Sequence, residues 1–304
     1  MRGKWLILLA AVLWGTTGTA QELGSDGSSP LVVGSLRLLL GAGALILISA
    51  FGAREAGWRW LVRPATLVSA IGMASYQPFF FSGVDRTGVA VGTLLAIGSA
   101  PVFVGAIESA RSGVWPRRTW LRATVPAVSG LTILVLAQGG AVVDGLGALL
   151  SLVAGLSYAV YVVSAGRLAR SGPAHRSVAV TFCLAAVILA PVVLTRDISF
   201  VTSPRGATTT LWLGLATTAA AYLVFTAGLQ VTDTITAATL TLGEPVTATL
   251  LAVLVVGETV STIGWAGIAL TILGLALAAR NTNHPHETHG SSRPGPYRSF
   301  RRTW

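Results

Sequence analysis

Residues 87–107, TGVAVGTLLAIGSAPVFVGAI, contain no charged side chain, and they decide the fold class. A run of about 20 apolar residues is the length that an α-helix needs to cross the hydrocarbon core of a bilayer. The run is continuous and carries glycine and threonine, whereas a barrel strand would show about ten residues of alternating polarity. The segment is therefore predicted to be a transmembrane helix.

Nine similar runs flank this segment on both sides. The ten predicted spans lie near residues 5–23, 31–51, 64–83, 87–107, 123–141, 145–165, 177–194, 207–229, 234–256 and 261–279. The 304-residue chain is 53% apolar and 11% charged, whereas soluble domains carry about 25% charged residues. This composition excludes a soluble protein of one or two domains. The predicted fold class is an all-α polytopic membrane protein with ten transmembrane helices.

The net charge of +10 would by itself be typical of a nucleic-acid-binding protein. The distribution of basic residues indicates orientation instead. With a cytoplasmic N-terminus, seventeen basic residues fall in inner segments or the tail, and three, Arg86, Arg196 and Arg205, fall in outer segments. The positive-inside rule therefore predicts cytoplasmic N- and C-termini in a multi-pass protein of the cell (inner) membrane. No nucleic-acid partner is expected.

An internal repeat relates the two halves of the chain. A shift of about 144 residues sets Ala100-Pro101-Val102 on Glu244-Pro245-Val246, Trp14 on Tyr158 and Gly130 on Gly274. The predicted units are a five-helix repeat over 1–141, a second over 145–280, and a disordered basic cytoplasmic tail over 281–304. Because five is odd, the second copy must enter the membrane inverted. Inverted repeats are typical of secondary transporters.

Three segments also carry a resemblance to a known family: residues 8–15 (LLAAVLWG), 89–103 (VAVGTLLAIGSAPVF) and 237–248 (AATLTLGEPVTA). Over residues 1–280 the chain resembles the drug/metabolite transporter (DMT) superfamily, and within it the two-copy EamA-type permeases. The resemblance implies ten helices in two inverted halves around a central cavity, which is lined by the first, third, fourth, sixth, eighth and ninth helices. It implies export of small metabolites or amino acids as the commonest activity.

Glu244 is the first candidate for a substrate or proton site, because it falls near the middle of the ninth span. A carboxylate at that depth costs about 2.5–3.5 kcal/mol on insertion scales, which calls for a compensating role. The missing N–H of Pro245 is expected to leave the carbonyl of Thr241 unpaired beside it. Desolvation favours the neutral acid, so Glu244 is a candidate for proton coupling. The structural alternative is a protonated residue that joins two helices.

Glu22 and Arg37 are gate candidates, because both fall toward the predicted outer ends of their spans. They could form an ion pair that closes the outer side, or Arg37 could bind a substrate carboxylate. The alternative is that Arg37 extends outward to the membrane interface, as long basic side chains near helix ends often do.

Polar aromatic and amide side chains away from the ends of spans form the third group. Each needs a polar partner, which a hydrated cavity would supply, although packing against a neighbouring carbonyl would serve as well. The candidates for lining the substrate path are Trp14, Tyr76, Gln77, Tyr158, Tyr161 and Tyr222. Pro78, Pro101 and Pro245 are predicted to break their helices, and transporters place binding sites at broken helices.

The predicted function is a secondary transporter that exports a small organic metabolite, such as an amino acid or a related compound, by alternating access around a central cavity. Two other classes stay open: a membrane-embedded enzyme acting on a lipid-linked substrate, and a non-transporting scaffold or sensor. No enzymatic activity, cofactor or metal site is predicted, because the acidic residues are scattered singly through the loops. An ATP-driven pump is not expected either, since no phosphate-binding loop is present and Lys4 is the sole lysine. The expected partners are a small-molecule substrate and the lipid bilayer, with H+ and a homodimer left open.

Overall fold

The computed structural model describes residues 1–24, 29–50, 63–138 and 144–280. The predicted tail, 281–304, lies outside the described residues. We number ten long helices: α1 Arg2–Gly24, α2 Pro30–Ala50, α3 Pro64–Thr87, α4 Val89–Ser112, α5 Arg118–Leu136, α6 Gly145–Arg170, α7 Ala174–Thr195, α8 Pro204–Leu229, α9 Thr234–Val256 and α10 Thr262–Arg280. A short 3-10 turn, Ser199–Thr202, precedes α8.

Nine of these helices, within the described ranges, are long and apolar enough to cross a membrane. The remaining helix, α3, has a similar length, but residues such as Gln77, Asp85 and Arg86 make it more polar. The expected all-α polytopic membrane fold is confirmed. Several helices continue past the predicted spans; α6, for example, extends to Arg170, because charged residues remain helical once they leave the hydrocarbon.

Local sequence signals start several of the helices. Asp144 caps α6 by accepting a hydrogen bond from the Gly147 N–H (2.7 Å), and Asp233 caps α9 by accepting one from the Thr236 N–H (2.8 Å). A side-chain oxygen at this position satisfies one of the free N–H groups of the first turn. Pro64 occupies the first position of α3, where a missing N–H costs nothing.

Close glycine contacts show the inverted relation of the two halves. A methyl group added at Gly3 of α1 would lie 3.0 Å from the Gly228 carbonyl oxygen of α8, and one added at Gly228 would lie 2.9 Å from that of Gly3. The counterpart pair on α6 and α3 is Gly147 and Gly83, with equivalent separations of 3.2 and 3.1 Å. The contact between α1 and α8 is thus repeated, with the two halves exchanged, by the contact between α6 and α3. An in-plane pseudo-twofold axis requires this equivalence.

The last helix of each half follows the same rule. Gly130 of α5 faces Gly267 and Thr271 of α10, and its counterpart Gly274 faces Ala123 and Ala127 of α5. As residue numbers increase along α5, the numbers of the residues that they contact on α10 decrease, so the two helices run antiparallel. An odd number of spans in each repeat produces this arrangement.

Two of the three predicted proline breaks are wrong. Pro78 and Pro101 lie inside uninterrupted α-helices, because one missing N–H removes only one hydrogen bond from a long, packed helix. The helix does break ahead of Pro245: α9 consists of Thr234–Leu240 and a second segment that begins at Gly243. Pro245 falls in the first turn of that second segment, where its N–H would have no helical partner.

Candidate functional site

A cavity lies between the two halves, at mid-depth in the helix assembly. It is lined by Trp14, Thr17, Arg37, Tyr76, Ala96, Ile97, Tyr158, Tyr222, Thr241 and Glu244, and its volume is about 30 Å³. Both halves supply the lining, from α1, α2, α3 and α4 on one side and from α6, α8 and α9 on the other. A cavity of this size holds about one or two water molecules, so the helices must move apart before it can take a metabolite.

Helix geometry places this cavity centrally. Thr17 and Arg37 each lie seven residues from the helix end predicted to be outer, which corresponds to about 10 Å at 1.5 Å per residue. Tyr222 and Thr241 each lie seven residues from the opposite helix ends, again about 10 Å. The lining thus extends across the middle of helices that are more than 30 Å long by the same rule.

The cavity wall carries two opposite charges, Glu244 and Arg37. Among the described residues, the ion pairs within 4.0 Å are Arg86–Asp144 and Arg111–Glu108, so Glu244 and Arg37 do not contact each other. The expected Glu22–Arg37 pair is also not formed: Glu22 is exposed, and Arg37 lines the cavity. The cavity wall therefore carries two opposite charges that form no ion pair with each other.

Trp14 adds a buried polar atom to this wall. Its side chain is 5% exposed, and its indole Nε1 has no hydrogen-bond partner among the described residues. Thr17, one turn further along α1, also lines the cavity and also has a hydroxyl without a partner there. A buried polar group in a folded protein normally has a partner, so these two atoms indicate where a ligand or water binds.

Aromatic rings form a continuous cluster around the cavity. The Trp14 and Tyr222 rings lie 4.7 Å apart between centroids, and the Tyr76 and Tyr158 rings lie 5.8 Å apart. Tyr161, another candidate, does not line the cavity; it packs behind the wall, 5.7 Å from Tyr222. Gln77 does not line it either: it is buried toward α2, where a methyl group at Gly34 would lie 2.9 Å from its Oε1.

The break in α9 brings backbone polarity to the site. Thr241 was expected to present a free carbonyl, but that carbonyl accepts a hydrogen bond from the Glu244 N–H at 2.9 Å, so this expectation is wrong. The Glu244 N–H thus replaces the N–H that Pro245 lacks as the donor to the Thr241 carbonyl. Glu244 instead lies in the first turn of the segment starting at Gly243, where the helix dipole favours a carboxylate.

Four lining residues were absent from the sequence-based set of site candidates. Ala96 and Ile97 carry no polar signal, and their positions emerge only from the packing of α4. Thr17 and Thr241 resemble the many other threonines of the spans, most of which bond to their own helices; the spacing of Thr17 one turn from Trp14 was the available signal. No group of three or more His, Cys, Asp and Glu side chains suited to a metal ion occurs within the described ranges.

Comparisons with known proteins agree with this architecture. The EamA-like transporter family matches twice, over residues 1–136 and 145–280. An "Uncharacterized transporter YwfM" from Bacillus subtilis (strain 168) is 42% identical over 272 residues, which is 88% of this chain and 90% of that protein. An "Uncharacterized transporter sll0355" from Synechocystis sp. is 28% identical over 152 residues, 48% of this chain and 41% of that protein.

One solved crystal structure shares the fold. Its TM-score is 0.76, at 22% identity, and the match covers 91% of this chain and 96% of that one. The two family matches and the apolar helices describe a multi-pass membrane protein, which in bacteria resides in the inner membrane. The chain belongs to the EamA-like transporter family and is a transporter of the drug/metabolite type.

Proposed function

We propose that this transporter exports a small zwitterionic metabolite, such as an amino acid or a related compound, by alternating access around the central cavity. Arg37 binds the carboxylate of the solute, and Glu244 binds its amine or, in exchange, a proton. The carrying observation is the pair of opposite charges that face one cavity without contacting each other. Export is the direction that the resemblance to EamA-type permeases implies.

The chemistry of the remaining wall supports the same class of solute. Trp14 offers an N–H donor without a protein partner, and the rings of Tyr76, Tyr158 and Tyr222 provide faces that attract a cation. An ammonium group near Glu244 would therefore meet both a carboxylate and aromatic rings. A purely apolar solute would leave both charges without a partner in a low-dielectric site, which is costly.

The symmetry supports alternating access. The two halves pack through equivalent contacts, such as Gly3–Gly228 and Gly147–Gly83. When the two halves exchange their arrangements, the opening moves to the other side of the membrane while the site stays at the centre. Glu244 is the carboxylate of the cavity lining, so proton coupling would pass through it.

The test is counterflow in liposomes. Purified protein is reconstituted with a high internal concentration of one unlabelled amino acid, and uptake of the same labelled amino acid is followed, one compound at a time. We expect exchange without chemical conversion for at least one zwitterion, and its loss in Glu244→Gln and Arg37→Gln. Glu22→Gln, which removes an exposed acid outside the cavity, is the matched control and should exchange normally.

The same assay separates the other classes. A membrane-embedded enzyme would convert its substrate, and a scaffold or sensor would show no exchange with any solute. Exchange that is limited to uncharged or purely cationic compounds would overturn the zwitterion proposal while leaving the protein a transporter.

A further inference from the structure

The predicted cytoplasmic end of the molecule carries a polar contact between the two halves. Thr234, the first residue of α9, donates a hydrogen bond of 2.8 Å from its hydroxyl to Oε1 of Glu108, near the end of α4. Glu108 also accepts from Arg111 at 3.1 Å, one turn along α4. Thr234 is 4% exposed and the Glu108 side chain is 20% exposed, so the bond is partly buried.

This contact lies beneath the cavity. Thr241 lines the cavity seven residues after Thr234 on the same helix, about 10 Å away along its axis. Between them, Thr239 bonds to Thr124 of α5 at 2.8 Å, so the inner segment of α9 is held to two helices of the first half. The Glu108–Thr234 bond therefore joins α4 and α9 on the predicted cytoplasmic side of the cavity.

Helices α4 and α9 diverge on the other side of the cavity. The inner segment Thr234–Leu240 packs closely against α4, whereas the outer segment from Gly243 packs mainly against α1, where a methyl group at Gly15 would lie 2.8 Å from the Glu244 carbonyl oxygen. Ile97 and Glu244 line the space that opens between the two helices. Helices α4 and α9 are therefore close together at the Glu108 end and further apart at the other end.

We propose that Glu108 and Thr234 form the latch of the inner gate: their bond holds the cytoplasmic side closed, and it must break before the cavity opens inward. Arg111 orients the Glu108 carboxylate through its ion pair, and Arg167, on α6, lies within electrostatic range of both. The proposal rests on the alternating access proposed above. It goes beyond it by naming the residues that hold one state.

The repeat extends the proposal to the opposite gate. The shift of about 144 residues carries Glu108 onto Ala252 and Thr234 onto Ala90. Exchange of the two halves therefore brings Ala90 and Ala252 together when the outer side closes. Alanine forms no side-chain hydrogen bond, so the latch exists on one side alone. This asymmetry biases the unloaded protein toward the state that is closed at the cytoplasmic side.

Accessibility of a cavity cysteine tests the latch. Cys183 is the sole cysteine of the chain, so Cys183→Ser provides a background for Ile97→Cys as a reporter in the cavity wall. Reaction with a charged maleimide is measured from each side, in right-side-out and inside-out vesicles. We expect Thr234→Val and Glu108→Ala to raise the labelling rate from the cytoplasmic side by about tenfold, which corresponds to the loss of one charge-assisted hydrogen bond.

Matched variants separate the latch from a general packing defect. Thr234→Ser keeps the hydroxyl and should label like the parent protein. Thr208→Val makes the same chemical change at an exposed threonine that bonds to its own helix, and it should have no effect. The double variant should exceed neither single variant, because both remove one interaction. Unchanged labelling in both single variants would overturn the proposal.

Cross-linking tests the symmetric gate without relying on transport. In the Cys183→Ser background, Ala90→Cys and Ala252→Cys should cross-link slowly, and adding Thr234→Val should speed the reaction about tenfold because the outer-closed state becomes more populated. Equal rates would overturn the assignment of Ala90 and Ala252. A labelling shift without counterflow of any solute would leave the latch standing and remove the proposed transport activity, so the two failures are distinguishable.

Discussion

Helices α4 and α9 are repeat counterparts, yet one is continuous and the other is broken. Pro101 and Pro245 occupy equivalent positions, but α4 runs without interruption from Val89 to Ser112, whereas α9 is interrupted after Leu240. Proline alone therefore does not cause the break. The residue that precedes each proline also differs: Ala100 in the first copy is fully buried, and Glu244 in the second lines the cavity.

The packing of the helices follows the symmetry of the repeat, whereas the charged residues of the cavity do not. Arg37 on α2 corresponds to Thr181 on α7, just as Glu244 corresponds to Ala100. The first half thus supplies Arg37 and the second half supplies Glu244, and the equivalent residue of the other half is uncharged in each case. The π-helical segments, Leu215–Ala220 and Ala252–Val256, also belong to the second half within the described ranges. Such segments are frequent at functional sites.

The largest expected effect comes from making the two copies alike at the broken helix. Glu244→Ala introduces the residue of the first copy, and we expect counterflow to fall at least about hundredfold, because a buried charge that binds substrate typically contributes ~3 kcal/mol. Any residual exchange should lose its pH dependence, since the titratable carboxyl of the cavity is gone. Thermal unfolding should change little. Equal exchange with an unchanged pH profile would remove Glu244 from the mechanism.

The reverse substitution should damage the fold rather than create a site. Ala100→Glu places a carboxylate on a fully buried position of a continuous helix, without the helix start that Glu244 occupies. We expect a loss of about 2.5–3.5 kcal/mol in stability, measured as a lower unfolding temperature in detergent. Ala100→Gln is the uncharged comparison. A variant with Ala100→Glu and Glu244→Ala that regained exchange would contradict the inferred asymmetry.

Arg37→Thr makes the copies alike at the other charge and should have a smaller effect. The carboxylate end of a zwitterion would lose a charge-assisted contact worth about 1.5–3 kcal/mol, so the apparent affinity should fall roughly ten- to hundredfold. The maximal rate should change less, because Glu244 and the aromatic wall remain. Arg37→Lys should retain part of the affinity. A concentration series of labelled solute measures both constants, and unchanged affinity would exclude Arg37 from carboxylate binding.

Much of this asymmetry was visible in the sequence, because charged and aromatic side chains stand out within apolar spans. Glu244, Arg37, Trp14, Tyr76, Tyr158 and Tyr222 were singled out there, and all six line one cavity. Their roles in transport stay predictions. The direction of each side chain was harder to predict. Gln77 follows Tyr76 directly, and adjacent residues on a helix point about 100° apart, so Gln77 faces α2 instead.

The helix geometry was predictable only in part. The apolar runs and the odd number of spans indicated ten helices in inverted halves, since length and periodicity are local properties. Whether a proline breaks a helix depends on its tertiary surroundings, and both Pro78 and Pro101 lie inside continuous helices. The cross-half bond between Glu108 and Thr234 was invisible for the same reason: it joins residues that only the tertiary fold brings together.

The smallest expected effect concerns the regions where the halves are alike. Gly130→Ala would place a methyl group 2.5 Å from the Gly267 carbonyl oxygen, and Gly274→Ala one 2.6 Å from that of Ala123. Because the obstructing atoms are backbone, α5 and α10 must move apart, at a cost of about 1–3 kcal/mol. Equivalence of the two sites predicts equal losses, read as equal decreases in unfolding temperature.

Gly18→Ala provides the matched control, because no atom lies within 4 Å of the added methyl group and alanine favours a helix. Its stability should stay the same or rise by up to about 1 kcal/mol. A loss at Gly130 without one at Gly274 would mean that α5 and α10 do not share their contact equally. The symmetry would then fail at the scaffold as well as in the cavity, and the transfer of the Glu108–Thr234 contact to Ala252 and Ala90 would lose its basis.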